Sequence, residues 1–508
     1  MDHRFALGRR AGLLLPLSMV RGRNGDLGSY ADAGAVARWL LEGGSTMWQL
    51  LPLNEVSPGQ DSPYAASSSC ALEPVYVDLD AVEDLQGLTG EEKAALDRAR
   101  ASGRVDFPAC REVKRSALRR AFSRFRERGG LPRMGDFREE HRAWIEDWAL
   151  YRALHDQRRR SWRDWEPPLR NRHPAALEEA RSALRDAIEE LIYVQWIADA
   201  QWRKGRAEAN ALGVKVLGDL PFMVAEDSAD VWEFQHLFRF DATVGVPPDA
   251  YSAEGQDWGL PVPRWNEMRA AGDPWLHLRA FRAAELYDAF RVDHVVGLYR
   301  TYARPIDKSP PFFIPAAEPE QREQGERILQ LLGEKGEVLA EDLGTVPDFV
   351  RASLAAQEIP GTKVLRWEND RGVPRDVSRF PHVSVAVTGT HDTESLASWW
   401  EGLADWERDL QLRQPQLAPL RGPAQKQYTP QTRAALLELA YVSNSDALLT
   451  PVTDALGWRE RMNTPGTVGT HNWTLRLPWT SEQLFSASEP VATARELAHL
   501  ARRYGRLR

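Results

Sequence analysis

The sequence predicts an α/β fold, and within that class a closed (β/α)8 barrel. Eight short apolar runs rich in β-branched residues alternate with longer helical patterns, which is the order expected of parallel strands joined by helices. Most of these runs are apolar on both faces, as strands of a buried parallel sheet must be. The predicted strands are residues 13–17, 47–53, 214–217, 289–293, 338–341, 362–367, 383–388 and 447–452.

The totals agree with one large globular domain. The chain has 508 residues, of which 43% are hydrophobic and 27% charged, so it has ample material for a core. A single barrel with insertions reaches this length, and we expect residues 1–508 to form one catalytic domain. The apolar run at 11–20 follows Arg9 and Arg10, but it contains Pro16 and is interpreted as the buried first strand rather than a signal peptide.

The spacing of the predicted strands indicates insertions. Residues 80–212 separate the second and third strands and have a helical pattern, so we expect a mainly helical subdomain at the barrel mouth. Within it, Pro174 is expected to open a long helix that ends before Gly213. Residues 303–330 begin with a proline-rich stretch and are expected to form a loop insertion over a barrel face.

Charge and cysteine usage exclude several classes of protein. The net charge is −8, which offers no electrostatic case for binding nucleic acid or an anionic membrane. No apolar segment approaches the ~20 residues that a membrane span needs. Cys70 and Cys110 form no disulfide framework, so a reducing cytoplasm is the expected location. Phosphate-binding loops and metal-ligand spacings are absent from the sequence, and we expect neither a cofactor nor a metal.

Acidic residues stand at the ends of four predicted strands. Asp219, Asp293, Glu341 and Asp392 follow the third, fourth, fifth and seventh strands, at the face where barrel enzymes place their chemistry. Each has a structural alternative when taken singly. Asp219 could bond a turn, Asp293 could pair with Arg291, and Glu341 could be a solvated neighbour of a turn-capping Asp342. Asp392 or Thr393 could cap the next helix.

Taken together, these carboxylates favour catalysis over structure. Carboxylates around one cavity repel each other and lose solvation, so such a group persists mainly where chemistry uses it. Two carboxyls roughly 5–5.5 Å apart form the machinery of a retaining glycosidase, with one attacking the anomeric carbon and the other moving the proton. The attacking group must be ionised, and the acid needs a raised pKa. By contrast, residues 345–348 are interpreted as a capping box for the helix after the fifth strand.

At these residues the chain resembles a known enzyme family. The strings GDLP, FRVDH, AEDLG and GTHD at 218–221, 290–294, 340–344 and 389–392 resemble the four conserved regions of the α-amylase clan. Further segments are similar to the amylomaltase family, glycoside hydrolase family 77. These are DSPY at 61–64, WIED at 144–147, GDLPFMVAEDSADVW from 218, GVPPDAYSAEGQDWG from 245 and RMNTPGTVGTHNW from 461.

The resemblance implies a 4-α-glucanotransferase acting on α-1,4-glucan donors, with glucose or another glucan as acceptor. It implies that Asp293 is the nucleophile, Glu341 the general acid/base, and Asp392 the residue that holds the reacting sugar in a distorted form. Residues 245–275 would be a loop insertion near the active-site mouth and would include a flexible lid. The substrate-binding residues implied in the same way are Tyr64, Asp219, Arg291, His294, His391, Tyr251 and Trp258.

Some positions depart from the family pattern. None of them is a catalytic acid, and they bear on the lid and the acceptor subsites. They are Ala250, Leu260, Val295, Val296 and Thr453.

Two other classes of function are weighed against a transferase. An α-amylase-like hydrolase would pass through the same intermediate, but such enzymes usually carry a β-sandwich after the barrel, and the tail here is short and helical in pattern. A glycan-binding protein without catalysis would be expected to have lost one of the three acids, and all three are present. Donor length, formation of cyclic products and oligomeric state are not predicted.

Overall fold

The computed structural model describes residues 8–248, 254–422 and 425–507, and it contains the predicted closed barrel. Eight strands pair in parallel around the ring, and the first strand closes it against the last. Seven of them lie at the predicted places, and the first overlaps its predicted run only at residues 13–14. The eight strands are β1 (Arg10–Leu14), β2 (Met47–Gln49), β3 (Lys215–Leu220), β4 (Ala289–Val292), β5 (Glu337–Ala340), β6 (Gly361–Val364), β7 (Ser384–Val387) and β8 (Ala447–Pro451).

The first strand begins earlier than predicted. It was expected at 13–17, but its pairing with β8 begins at Arg10 and ends at Leu14. Pro16 lies two residues beyond Leu14, and because proline has no amide hydrogen the chain leaves the ladder there and turns through a short 3-10 helix at Leu17–Met19.

The inside of the barrel is filled by a small core of its own, separate from the larger core between strands and helices. Side chains from seven of the strands meet there, so the ring is a packed floor rather than a pore. This floor lies beneath the site described below. Its buried members are Met47, Leu217, Ala289, Leu339, Val364, Val385, Val387, Ala447 and Leu449.

The interval between β2 and β3 is helical, as the sequence pattern indicates. After α1 (Ala33–Glu42), the helices of this interval are α2 (Gly90–Ala101), α3 (Phe107–Glu127), α4 (Gly135–Glu140), α5 (Ile145–Arg158), α6 (Pro167–Arg170), α7 (Pro174–Ala183) and α8 (Arg185–Ala211). The expected single helix from Pro174 is two helices, interrupted at Leu184. Gly213, with a φ of +83°, then turns the chain into β3, a backbone conformation that glycine adopts without strain.

The remaining helices complete the outer layer and the barrel mouth. They are α9 (Ala229–Glu233), α10 (Trp265–Ala270), α11 (Pro274–Leu286), α12 (Val296–Tyr299), α13 (Glu318–Gly333), α14 (Asp348–Ala356), α15 (Leu396–Gly402), α16 (Asp405–Gln411), α17 (Pro430–Val442), α18 (Val452–Leu456) and α19 (Ser488–Arg503). In the described ranges no helix is both long enough and apolar enough to cross a membrane.

The two segments expected as loop insertions, 245–275 and 303–330, contribute to an antiparallel sheet that begins before each of them, and we call it the side sheet. Its strands are Phe238–Val246, Gln256–Pro263, Thr301–Pro305 and Phe312–Ile314. A short hairpin elsewhere pairs Asn369–Asp370 with Val373–Pro374. The side sheet brings together stretches of chain on either side of β4. A local pattern cannot reveal such pairing, because each strand is stabilised by a partner distant in sequence.

One predicted cap is wrong. Residues 345–348 were interpreted as a capping box, but α14 has Pro347 as its N-cap residue, without a side-chain cap hydrogen bond. Asp348 instead lies in the first turn of the helix, where a negative charge is favourable next to the helix dipole.

Candidate active site

The four acidic residues predicted at strand ends lie at one rim of the barrel. Asp219 is the fifth residue of β3, Asp293 directly follows β4, Glu341 directly follows β5, and Asp392 lies in the loop after β7. Because the strands are parallel, their carboxyl ends meet at the same face. Gly218 permits the close packing below Asp219, since a Cβ at residue 218 would lie 2.1 Å from the Tyr287 ring.

Arg291 joins three of these carboxylates. Its Nη1 donates to both carboxylate oxygens of Asp219 at 2.7 Å. Its Nη2 lies 3.0 Å from Asp293 Oδ1 and 2.9 Å from Glu341 Oε1. Burial opposes the charge on the guanidinium, but Asp219 and Glu341 more than offset this and raise the pKa of Arg291, so the group stays cationic.

The shared guanidinium fixes how far apart the two candidate catalytic carboxyls are. Asp293 Oδ1 and Glu341 Oε1 both contact Arg291 Nη2, so these oxygens lie within about 6 Å of each other. Retaining glycosidases place their carboxyls ~5–5.5 Å apart, whereas inverting enzymes need ~6.5–9.5 Å to admit a water molecule. The geometry therefore fits double displacement.

The pKa of Asp293, the residue expected to attack, is raised. Burial raises the pKa of Asp293 to about 7, Arg291 opposes this, and the nearby Glu341 charge adds to it. The raised pKa was expected of the acid rather than of the nucleophile. Glu341 and Asp293 face the same guanidinium nitrogen, so a proton on Asp293 removes the repulsion between the two carboxylates.

Glu341 is also held by the backbone of the neighbouring strand end. The His294 amide donates to Glu341 Oε2 at 2.7 Å, and the φ of His294 is +45°, in the left-handed region that non-glycine residues seldom adopt. This conformation follows directly after Asp293, where the chain leaves β4. Burial lowers the pKa of the His294 side chain to about 4, so its ring is neutral near pH 7.

Asp392 has a different set of partners. Asn463 Nδ2 donates to Asp392 Oδ1 at 2.6 Å, and His391 Nε2 lies 3.4 Å from Asp392 Oδ2. Burial acts to raise the pKa of Asp392, but His391 and the Asn463 hydrogen bond outweigh burial and hold the pKa below its usual range. Burial likewise disfavours protonation of His391, and the Asp392 charge outweighs it and raises the pKa of His391. Asp392 is therefore ionised over the whole range in which Asp293 exchanges its proton.

Three aromatic rings stand beside the carboxylates. The rings of Tyr64 and His391 stack with centroids 5.1 Å apart, and Trp473 lies 5.9 Å from Tyr64 and 5.8 Å from His391. The Tyr64 hydroxyl donates to Asp219 Oδ2 at 2.8 Å. These rings form an aromatic side to the site, against which the C–H face of a pyranose can pack.

The lid residues are only partly described. Trp258 lies in the side sheet, and its ring meets the His294 ring edge-on at 4.8 Å, which brings it to the rim of the site. Tyr251, the other predicted lid aromatic, lies outside the described residues.

The structural alternatives for the acidic residues have different outcomes. Asp293 does pair with Arg291, as the structural alternative supposed, and Arg291 also binds Glu341. Ser395 rather than Asp392 or Thr393 caps α15, since its side chain accepts from the Ser398 amide.

Asp342, next to Glu341, has a structural role. It is buried and accepts a hydrogen bond from the Thr362 amide at 2.7 Å, so it ties the end of β5 to β6.

Sequence reasoning missed two residues of the site. Asn463 and Trp473 both lie in the segment from Arg461 that carried part of the family resemblance. Neither follows a barrel strand directly, so a search of strand ends does not find them. The indole of Trp473 and the amide of Asn463 carry no charge, and only their place beside His391 and Asp392 reveals them.

One group of residues has atoms close enough to hold a metal ion. Ligand atoms of Glu140, His141 and Glu285 lie within 4.8 Å of one another. Arg203 Nη2 donates to Glu140 at 2.8 Å and to Glu285 at 3.5 Å, so a guanidinium already supplies the positive charge there. We therefore assign no metal to this group.

Comparison with known proteins agrees with the geometry. A family model described as 4-alpha-glucanotransferase matches residues 15–481. The 4-alpha-glucanotransferase of Thermus thermophilus is 34% identical, over 93% of this chain and 95% of the relative. The chloroplastic/amyloplastic enzyme of Solanum tuberosum is 31% identical, over 98% of this chain and 87% of the relative.

Solved structures give the same result. Amylomaltase from Streptococcus agalactiae in complex with acarbose matches with a TM-score of 0.85 and 26% identity, covering 98% of this chain and 100% of that one. Amylomaltase from Corynebacterium glutamicum shares the fold, with a TM-score of 0.80 and 21% identity over 97% of this chain and 75% of that one. The chain belongs to the 4-alpha-glucanotransferase family, glycoside hydrolase family 77.

Proposed function

We propose that this chain transfers segments of α-1,4-glucans to the 4-hydroxyl of glucose or of another glucan by retaining double displacement. The observation that carries the proposal is the shared guanidinium, since Arg291 Nη2 contacts Asp293 at 3.0 Å and Glu341 at 2.9 Å. That contact sets the carboxyl separation and keeps a cation beside the attacking group. Family membership supports glucan transfer as the activity.

In the first step the Asp293 carboxylate attacks C1 of the donor sugar, and the bond from C1 to the leaving O4 breaks. Glu341 gives its proton to that O4, so the departing chain leaves as a neutral alcohol. The product is a glucosyl ester of Asp293 with inverted configuration at C1. Of the two ways in which the pair can hold its proton, substrate must select the one with Asp293 ionised and Glu341 protonated.

In the second step the acceptor O4 attacks C1 while Glu341 removes its proton and the ester bond to Asp293 breaks. Inversion for the second time restores the α-linkage and both free carboxyls. Water in place of the acceptor would give hydrolysis. Swapping one α-1,4 bond for another is nearly isoenergetic, so no external energy source enters the cycle.

The other site residues would hold the sugar. Asp392 stays ionised and would accept hydrogen bonds from hydroxyls of the reacting ring, favouring the distorted form near the transition state. Asp219, His294 and His391 would contact the same sugar or its neighbour, and Tyr64 would stack on it. Trp258 and Tyr251 would form the lid over the acceptor, which excludes water and favours transfer.

The two cysteines bear on where in the cell the chain acts. We infer a cytoplasmic location, supported by the buried and unpaired thiols of Cys70 and Cys110, which suit a reducing compartment.

The helical segment of residues 80–212 would act as an inserted subdomain beside the barrel mouth, with the whole chain as one catalytic unit.

Incubation with maltotriose tests the activity. Transfer gives glucose and a ladder of longer oligomers while the number of reducing ends stays constant, whereas an α-amylase-like hydrolase raises that number. Asp293→Asn is expected to abolish both the ladder and glucose release while still binding acarbose. The matched control is Asp348→Asn, an exposed carboxylate in α14, which should leave the ladder unchanged. A ladder of normal rate from the Asp293 variant would refute the assignment.

A further inference from the structure

The loop between β7 and α15, residues 388–395, carries His391 and Asp392 but has no regular structure of its own. We propose that Asp454 and Arg366 are positioning residues that hold both ends of this loop and thereby place Asp392 against the reacting sugar. The inference rests on the role of Asp392 proposed above. Neither residue contacts the Asp293–Glu341 pair in the described contacts, so any influence on turnover has to pass through the loop.

Asp454 spans the two ends of the loop with its two carboxylate oxygens. The hydroxyl of Thr388, at the beginning, donates to Oδ2 at 2.7 Å. The amide of Leu396, at the end, donates to Oδ1 at 2.7 Å. Asp454 lies in α18 directly after β8 and is only 1% exposed, so a rigid barrel element supplies this bridge.

Arg366 makes the complementary bridge through backbone carbonyls. Its Nη2 donates to the carbonyl of Thr388 at 3.0 Å, and its Nη1 donates to that of Glu394 at 2.9 Å. The residue follows β6, and its side chain is 3% exposed, with the guanidinium 5.2 Å from the centre of the Trp399 ring. The loop after β7 is thus held from the two strands that flank β7 in the barrel, β6 and β8.

The charges of the two residues support each other. Burial lowers the pKa of Arg366 and raises the pKa of Asp454, and in each case the opposite charge of the other residue counteracts burial. A buried charge without a partner is costly, so each residue helps to keep the other ionised and bound to the loop.

The backbone of the loop is tightly packed at Gly389. A Cβ added at Gly389 would lie 2.5 Å from Thr393 Oγ1, 3.0 Å from Arg366 Nη2 and 3.5 Å from Asp454 Oδ2. The backbone at residue 389 therefore rests directly on both proposed positioning residues. Since a misplacement of about 1 Å can cost 10²-fold in rate, loss of either bridge should be felt two to four residues away at Asp392.

The test combines single substitutions with a double-mutant cycle. Asp454→Ala removes both acceptors, and Thr388→Val removes one donor with little change of shape. We expect Asp454→Ala to lower kcat on maltotriose roughly 30- to 100-fold, with a smaller change in KM, and Thr388→Val to lower it about 5-fold. The control Asp446→Ala removes a carboxylate just before β8, at the opposite end of the barrel, and should change kcat less than 2-fold.

The decisive measurement adds Asp454→Ala to Asp392→Asn. If Asp454 acts through Asp392, the substitution Asp454→Ala should lower kcat by less than 2-fold when Asp392→Asn is already present. Equal losses in both backgrounds would mean a general structural effect and would overturn the inference, as would an unchanged kcat in folded Asp454→Ala. If that variant does not fold, the same cycle is run with Thr388→Val. Normal activity of Asp392→Asn alone would instead contradict the proposed function.

Discussion

Replacing the proposed nucleophile should make the protein more stable, and by an amount that depends on pH. Asp293→Asn keeps the shape of the protonated side chain but removes a carboxyl whose ionisation is opposed by burial, with a pKa raised from 3.8 to about 7. At pH values well below 3.8 the wild-type residue is protonated in both the folded and the unfolded chain, so the substitution should change little there.

Between the two pKa values of Asp293, 3.8 and about 7, the direction of the stability change follows from the raised pKa. As pH rises from 4 to 7, the unfolded chain ionises Asp293 freely while the folded chain resists, and the wild type loses stability that the Asn variant keeps. A shift from 3.8 to about 7 corresponds to at most about 4 kcal/mol at 1.36 kcal/mol per unit. With an unfolding entropy of about 2.1 cal/mol/K per residue over 508 residues, this is a rise in Tm of about 4 °C.

Thermal melts of wild type and variant at pH 4.5, 6 and 8 measure this difference. Asp392→Asn is the matched control, because the pKa of Asp392 is held below its usual range and its charge stabilises the folded state. That variant should melt below the wild type at pH 6 and 8. A Tm difference for Asp293→Asn that is flat with pH, or negative at pH 8, would refute the electrostatic argument.

Three further outcomes are expected. Tyr64→Phe removes the hydroxyl that donates to Asp219 at 2.8 Å, and the loss of a hydrogen bond to a buried charge should lower kcat/KM roughly 10- to 100-fold in steady-state assays with maltotriose. Gly218→Ala places a methyl 2.1 Å from the Tyr287 ring, so melts should show a loss of about 1–3 kcal/mol of stability. Trp258→Ala opens the lid side of the site, and counting reducing ends should show a larger share of hydrolysis; an unchanged share would exclude Trp258 from water exclusion.

The barrel was predictable because its strands satisfy a strong local rule. A run buried on both faces must be continuously apolar, and the runs at 338–340 in β5 and 385–387 in β7 are short and bounded by polar residues. The strand ends then gave Asp219, Asp293 and Glu341 directly, since a parallel barrel brings its carboxyl ends together. Asp392 was found in the same way although it lies five residues beyond β7.

The rest depended on contacts that no local pattern encodes. The side sheet forms because segments from two different loops pair, and the signal in each segment alone is weak. Asn463 and Trp473 reach the site through a long irregular segment after α18. The break at Leu184 is equally hidden, because the helical pattern continues on both sides of it.

The side sheet also limits how this mouth can be altered. Its strands at Phe238–Val246 and Gln256–Pro263 precede β4, and those at Thr301–Pro305 and Phe312–Ile314 follow it. A chimaera that exchanged only one of these loops with a homologue would leave an unpaired edge where the register between residues 242–245 and 302–305 now lies. The proposed contribution of Trp258 to the acceptor site should therefore transfer between relatives only when both loops are exchanged together.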